Sequence, residues 1–256
     1  MNIIDSFLFG IVEGITEFLP ISSTGHLILT ARLLHIPQTN FIKSYEIAIQ
    51  LGAILSVIVL YWKSLVLDAR VIKRVIAAFI PTAVIGFLFY KIIIKSLMGN
   101  EQVVLWSLFL GGIFLIVFER YHREPQIADE AVTDIPLRSA ILIGIFQSFA
   151  VIPGVSRAAA TIIGGLILGL KRKTTVEFSF LLAVPTMLAA TSLDLLKNAR
   201  VFSIDQTFSL IVGFVSSFIV ALFCIKFLLR YIRQNNFILF GIYRILIALI
   251  FWFIVK

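Results

Sequence analysis

Glu13-Gly-Ile-Thr-Glu17-Phe-Leu-Pro20-Ile-Ser22-Ser23-Thr24-Gly-His26 sets two carboxylates, two serine hydroxyls and an imidazole inside an otherwise apolar segment. An ionisable group at membrane depth costs roughly 3 kcal/mol or more, so this grouping reads as a site. The same stretch recurs in altered form. Gly10-Ile-Val-Glu13-Gly-Ile-Thr-Glu17-Phe-Leu-Pro20-Ile-Ser-Ser23 aligns with Gly144-Ile-Phe-Gln147-Ser-Phe-Ala-Val-Ile152-Pro153-Gly-Val-Ser156, allowing one gap. Glu46 and Glu177 each precede an apolar run in matching places.

Working outward, each half offers five apolar segments. They are roughly 3–19, 21–36, 45–62, 72–94 and 102–119, then 138–152, 156–170, 175–195, 208–229 and 237–255. The first pair of each half is short and joined through a proline. A 15-residue helix rises only about 23 Å, less than the ~30 Å hydrocarbon layer. Each such pair is expected to be re-entrant, leaving three transmembrane helices per half. An odd number of spans inverts the second half relative to the first. The fold class is therefore an all-α polytopic membrane protein with an inverted-topology repeat. It forms one integral membrane domain over 1–256, with repeat 1 at about 1–119, a cytoplasmic linker at about 120–137 and repeat 2 at about 138–256.

Composition agrees. Apolar residues make up 60% of the 256 and charged residues 14%, with a mean hydropathy of +1.04; a soluble domain needs more polar surface. The net charge of +8 is scattered between apolar segments, as juxtamembrane anchors are, so membrane lipids and not nucleic acid are the expected partners. Placing Lys63 to Arg74 inside puts twelve Lys/Arg on the cytoplasmic side and seven outside, among them Lys95, Arg200 and Lys256, with both termini outside. Cys224 is alone in an apolar run and reads as a small buried hydrophobe. No cleavable signal peptide is evident, since no Lys or Arg precedes Arg32.

Inverted repeats with broken helices place their site where the broken elements meet. The tips are Pro20-Ile-Ser-Ser-Thr-Gly and Pro153-Gly-Val-Ser-Arg157. A helix restarting after each proline, capped by hydroxyl residues, would aim free N–H groups and a dipole at the meeting place, which suits an anion. Glu13 and Glu17, four apart on one helix face, repel unless a proton, an arginine or a cation joins them, and hard oxygen ligands suit Mg²⁺ or Ca²⁺. Ser22 or Ser23 can approach His26 at helical spacing, giving a nucleophile with its acid or base; the blander reading is N-capping with a satisfied imidazole. Arg157 needs a partner and its planar fork fits phosphate; an ion pair with Glu13 or Glu17 is compatible with that. Ser156 and Thr161 are supporting hydroxyls. Glu13, Glu17 and His26 correspond to Gln147, Val151 and Ala159 in the second copy, an asymmetry that suits an enzyme better than a pore. His35 and His122 read as solvated loop residues, and Gly164, Gly165 and Gly169 as close-packing positions.

Together, Glu13-x-x-x-Glu17, the run Phe18-Leu-Pro-Ile-Ser-Ser-Thr-Gly-His26, and Pro153-Gly-Val-Ser-Arg157-x-x-x-Thr161 resemble the undecaprenyl-diphosphate phosphatase family, the bacitracin-resistance type of bacterial membrane phosphatase, over essentially the whole chain. One position departs: Ala158 stands where the family usually has serine. The resemblance implies hydrolysis of undecaprenyl diphosphate to the monophosphate and inorganic phosphate, recycling the lipid carrier for cell-wall synthesis. It also implies dependence on a divalent cation, at Glu13 and Glu17, and a bacterial inner-membrane location with the site facing the periplasm or exterior. On this reading Ser23, His26, Glu17 and Arg157 are catalytic, with Ser23 favoured over Ser22 as the attacking group. Ser22, Thr24, Gly154, Ser156, Arg157 and Thr161 would bind the substrate, a polyprenyl diphosphate lipid. A homodimer is a further expectation. The rival class is an inverted-repeat transporter or flippase of lipid phosphates.

Overall fold

A computed structural model of the chain describes residues 1–92, 100–125, 131–198 and 206–254. Of the basic residues counted outside, Lys95, Arg200 and Lys256 lie beyond the described residues, as does 126–130 of the linker. The described chain contains ten α-helices in the order the apolar segments dictate: α1 Ile3–Thr16, α2 Ser23–Leu33, α3 Asn40–Val66, α4 Ala69–Ile92, α5 Glu101–Tyr121, α6 Leu137–Ser148, α7 Arg157–Ile167, α8 Arg172–Asn198, α9 Thr207–Tyr231 and α10 Ile238–Ile254.

Five of these, α3, α4, α5, α8 and α9, are long and apolar enough to cross a membrane. Helix α10, with 17 residues, rises about 26 Å, just under the hydrocarbon thickness. Helices α1, α2, α6 and α7 hold 14, 11, 12 and 11 residues and are too short to cross unaided. Their starts follow local chemistry. Asn2 and Asp5 close a reciprocal capping box at α1, Thr39 caps α3 and Asn100 caps α5. Large apolar side chains cover the outer surface, Phe87, Phe223 and Phe253 among the most exposed, as lipid-facing positions require.

Helix pairing carries the repeat into three dimensions. Helix α1 packs on α9 and its counterpart α6 on α4; α3 packs on α9 and its counterpart α8 on α4; α3 meets α8 and α5 meets α10. Exchanging the two halves maps each of these pairs onto another or onto itself. The closest crossings use the same aligned glycine. A Cβ at Gly10 would lie 2.5 Å from the Gly213 carbonyl oxygen of α9, and one at Gly144 would meet the Ala78 carbonyl of α4, so only glycine lets these backbones touch.

The core between the halves runs through Phe18, Ile54, Ile162, Phe180 and Ile225, with Phe18 and Phe180 edge-to-face at 5.3 Å. At the other end of α5, the buried Glu119 carboxylate pairs with the guanidinium of Arg172 and accepts from Phe237 N at 3.1 Å. This ties the ends of α5, α8 and α10 together. Cys224 is buried and its thiol donates to Ile15 O at 3.0 Å.

Candidate active site

Helix α1 stops at Thr16 and α2 restarts at Ser23, so Glu17 to Ser22 form the first tip. Ser22 holds φ = +74°, a region that strains a side-chain-bearing residue, and caps α2 by accepting from Gly25 N at 3.4 Å. In the second repeat, a short 3₁₀ turn follows α6, Gly154 takes φ = +92°, and Ser156 caps α7 through Ala159 N at 3.1 Å. Ser156 Oγ also donates to Leu19 O at 3.4 Å, joining the tips directly. In α2 and α7 the caps take the third and fourth N–H groups. The N–H groups ahead of them, on Ser23, Thr24, Arg157 and Ala158, belong to the helix N-termini that favour an anion.

Between the tips lies a cavity of about 180 Å³. Glu17, Ser22, Ser23 and Thr24 line it from the first tip, and Gly154, Ser156 and Arg157 from the second. Ser23 Oγ donates to Glu17 Oε2 at 2.5 Å, while Arg157 Nη2 donates to Glu17 Oε1 at 3.1 Å. Arg157 Nη1 donates to Ser179 O at 2.9 Å, and its Nε–H is buried without a partner. A guanidinium has five N–H groups, so this one keeps donors in hand. The pair that sequence alone left open, Arg157 with a glutamate, is formed with Glu17.

Glu13 is fully buried, with neither carboxylate oxygen hydrogen-bonded, and the charged groups acting on it are Glu17, Glu46 and Arg157. Two orphaned carboxylate oxygens beside a second carboxylate fit a hard divalent cation such as Mg²⁺ or Ca²⁺. Among the described residues no three His, Cys, Asp or Glu side chains gather as a metal cage, so substrate oxygens and water would complete the ligand set.

Three of the expected site residues, Glu13, His26 and Thr161, stand beside the cavity and not on its wall. His26 Nδ1 donates to Ser22 O at 2.7 Å and its Nε2 meets the Tyr243 hydroxyl at 3.0 Å, with the two rings stacked at 5.5 Å. The imidazole thus holds the strained Ser22 carbonyl, and Ser23 turns to Glu17 instead. Thr161 Oγ1 is bonded to the Arg157 and Ala158 carbonyls and to Ser179 Oγ at 2.6 Å, bracing the turn beneath Arg157.

Several wall and support residues were not singled out by sequence. Gln147 Nε2 donates to Thr82 Oγ1 at 2.9 Å and Thr186 Oγ1 at 3.1 Å. Both threonines follow an in-helix proline, Pro81 in α4 and Pro185 in α8; paired Pro-Thr steps inside apolar spans were the available signal. Tyr243 and the buried Arg244 on α10 were also missed, although an arginine inside the apolar run 237–255 is a sequence signal by itself.

These helices define a multi-pass helical membrane protein, with a polar cavity between the tips of its two repeats. The chain belongs to the family described as Bacitracin resistance protein BacA, matched over residues 6–250. It is 55% identical over 244 residues to the undecaprenyl-diphosphatase of Aquifex aeolicus (strain VF5), covering 95% of each chain. It is 52% identical over 252 residues to the undecaprenyl-diphosphatase of Sulfurihydrogenibium sp. (strain YO3AOP1), covering 98% of this chain and 99% of that one. A similar protein of the same name from Persephonella marina is 51% identical over 251 residues, with 98% of each chain covered.

Proposed function

We propose that this chain hydrolyses undecaprenyl diphosphate to undecaprenyl phosphate and inorganic phosphate, returning the lipid carrier to cell-wall synthesis. The observation that carries the reading is the chain of contacts from Ser23 Oγ to Glu17 to Arg157 inside one cavity. The relatives bearing the name undecaprenyl-diphosphatase match nearly end to end. The cavity is of a size for a diphosphate group and far too small for the isoprenoid tail, which stays in lipid. In this reading α1–α2 enters and leaves on the outer face and, because the repeat is inverted, α6–α7 on the inner one, with the tips meeting between them. The head group is taken from the periplasmic or exterior side of the inner membrane, as the resemblance to the bacitracin-resistance family implies.

The chemistry follows from the hydrogen bonds. Ser23 Oγ bonds to the terminal phosphorus as its proton passes to Glu17 Oε2, and the bond from that phosphorus to the bridging oxygen breaks. Undecaprenyl phosphate leaves with the electron pair and takes the proton from Glu17. Water then attacks the phosphoserine, Glu17 takes a proton from it and returns one to Ser23 Oγ, and phosphate departs. Arg157 and the tip N–H groups stabilise charge spreading over the equatorial oxygens. A divalent cation held by Glu13 and Glu17 would, when bound, neutralise diphosphate oxygens. Because both imidazole nitrogens are engaged elsewhere, His26 is assigned to holding the tip and Glu17 to moving the proton.

Phosphate release by purified protein from a polyprenyl diphosphate in detergent, with and without chelator, tests this against transport, since no gradient exists there. Cation-dependent release that Glu17→Gln and Arg157→Ala both abolish is the expected outcome. No release by folded wild type, with cation and substrate in excess, would leave the transporter reading in front.

A further inference from the structure

Arg244 lies seven residues into α10 and is 2% exposed, among the largest fully enclosed side chains of the molecule. Among the described residues no carboxylate pairs with it. Its guanidinium is spent on backbone carbonyls: Nη1 donates to Pro20 O at 3.3 Å, Nη2 to Gly154 O at 3.0 Å and Ser107 O at 2.9 Å, and Nε to Leu108 O at 3.3 Å. One planar group therefore grips the first tip, the second tip and the α5 backbone between them.

The two tip carbonyls are placed alike. Pro20 stands three residues before Ser23, and Gly154 three residues before Arg157. Both are non-helical, so their carbonyls have no intrahelical donor to satisfy them. The route to them has been cleared. A Cβ at Gly111 of α5 would collide with Arg244 Nη2, and one at Gly154 would lie 2.7 Å from both Ser107 Cβ and Val104 O. The positive φ of Gly154 also turns its carbonyl onto α10 at no side-chain cost.

We propose that Arg244 is a positioning residue that sets the separation of the two tips, and so the distance between the attacking Ser23 and the phosphate-holding Arg157. It does not line the cavity, so it acts through the tip backbones and not on substrate. Lysine cannot replace it, because one ammonium lacks the fork that reaches carbonyls on three separate segments. This rests on the phosphatase reading for its kinetic consequence, but the geometric consequence stands apart from it.

The test pairs kinetics with a distance. Arg244→Lys keeps the charge and loses the fork. Gly111→Ala keeps the arginine and displaces it, serving also if the lysine variant does not fold. In either variant kcat on a polyprenyl diphosphate falls about 100-fold, as an ångström-scale misplacement gives, with KM within threefold. Spin labels at Thr24→Cys and Val155→Cys, in a Cys224→Ala background, report the tip separation by pulsed dipolar spectroscopy. The distribution is narrow with Arg244 and broad with either substitution. Wild-type kcat in a folded lysine variant, or a fall in kcat with an unchanged distribution, overturns the proposal. A change confined to KM also overturns it, by placing the guanidinium on substrate. If the wild type releases no phosphate the function fails, while the distance distributions still decide the strut.

Discussion

Ser23 and Glu17 stand on opposite sides of Pro20 and are joined by a hydrogen bond of 2.5 Å from the serine hydroxyl to carboxylate Oε2. The break in the helix brings them together: Glu17 is the first residue after α1 and Ser23 the first of α2. The carboxylate is fixed in turn by Arg157 from the other repeat. Each repeat thus supplies what the other lacks.

Replacing Glu17 by Gln removes the proton acceptor while keeping the shape. We expect kcat per folded molecule to fall by roughly 10²–10⁴, the span of general-base contributions, with some loss of thermal stability because the buried Arg157 loses its charge partner. Steady-state phosphate release measures it, and a fall of less than tenfold would move the proton elsewhere.

His26→Gln separates the two proton routes. If the imidazole only holds the Ser22 carbonyl, losing it costs about one hydrogen bond, or roughly tenfold in kcat. Tyr243→Phe, which leaves the stacked ring and removes the hydroxyl, costs no more than that. A His26 variant as dead as the Glu17 variant would return the acid–base role to the imidazole.

The first tip was readable because its working groups are consecutive in the chain and costly in lipid. Glu17, Ser22, Ser23 and Arg157 do converge on the cavity, with Gly154 and Ser156 on the facing wall, while Glu13 stays buried beside Glu17 and off the wall. The ten helices were equally readable, because bilayer thickness and apolar run length are one-dimensional facts. Helical spacing let His26 meet either Ser22 or Ser23, but spacing says only which residues can meet and not that Tyr243, more than 200 residues away, competes for the ring. Thr82, Gln147 and Thr186 form a triad from three helices, and no local pattern announces such a contact.

Removing divalent cations with a chelator should abolish turnover, and Glu13→Gln should raise the cation concentration for half-maximal activity tenfold or more. Titrating Mn²⁺ by electron paramagnetic resonance gives an activity-independent reading of the same site. Unchanged Mn²⁺ affinity in Glu13→Gln would remove Glu13 from it.

Gly144→Ala drives a methyl into the Ala78 carbonyl at the α4–α6 crossing. Overpacking of this kind costs about 1–3 kcal/mol, read as a lower midpoint of thermal unfolding in detergent. Gly10→Ala, at the equivalent α1–α9 crossing, should lose a similar amount, since the two contacts are related by the repeat.

Glu119→Gln takes from the buried Arg172 its closest carboxylate at the far end of α5, leaving only the more exposed Glu124 at 3.7 Å. Breaking a buried pair from one side costs about 3–5 kcal/mol, so thermal stability should fall while KM stays as in the wild type. A changed KM would show that this end of the bundle communicates with the cavity.

The stereochemical course at the transferred phosphorus tests the account most directly, using wild-type protein and a polyprenyl diphosphate made chiral at its terminal phosphorus. Attack by Ser23 followed by attack by water is two in-line displacements, so the account predicts retention of configuration in the released phosphate. Inversion would mean that water attacks the diphosphate in a single step, and would contradict the assignment of Ser23 as nucleophile.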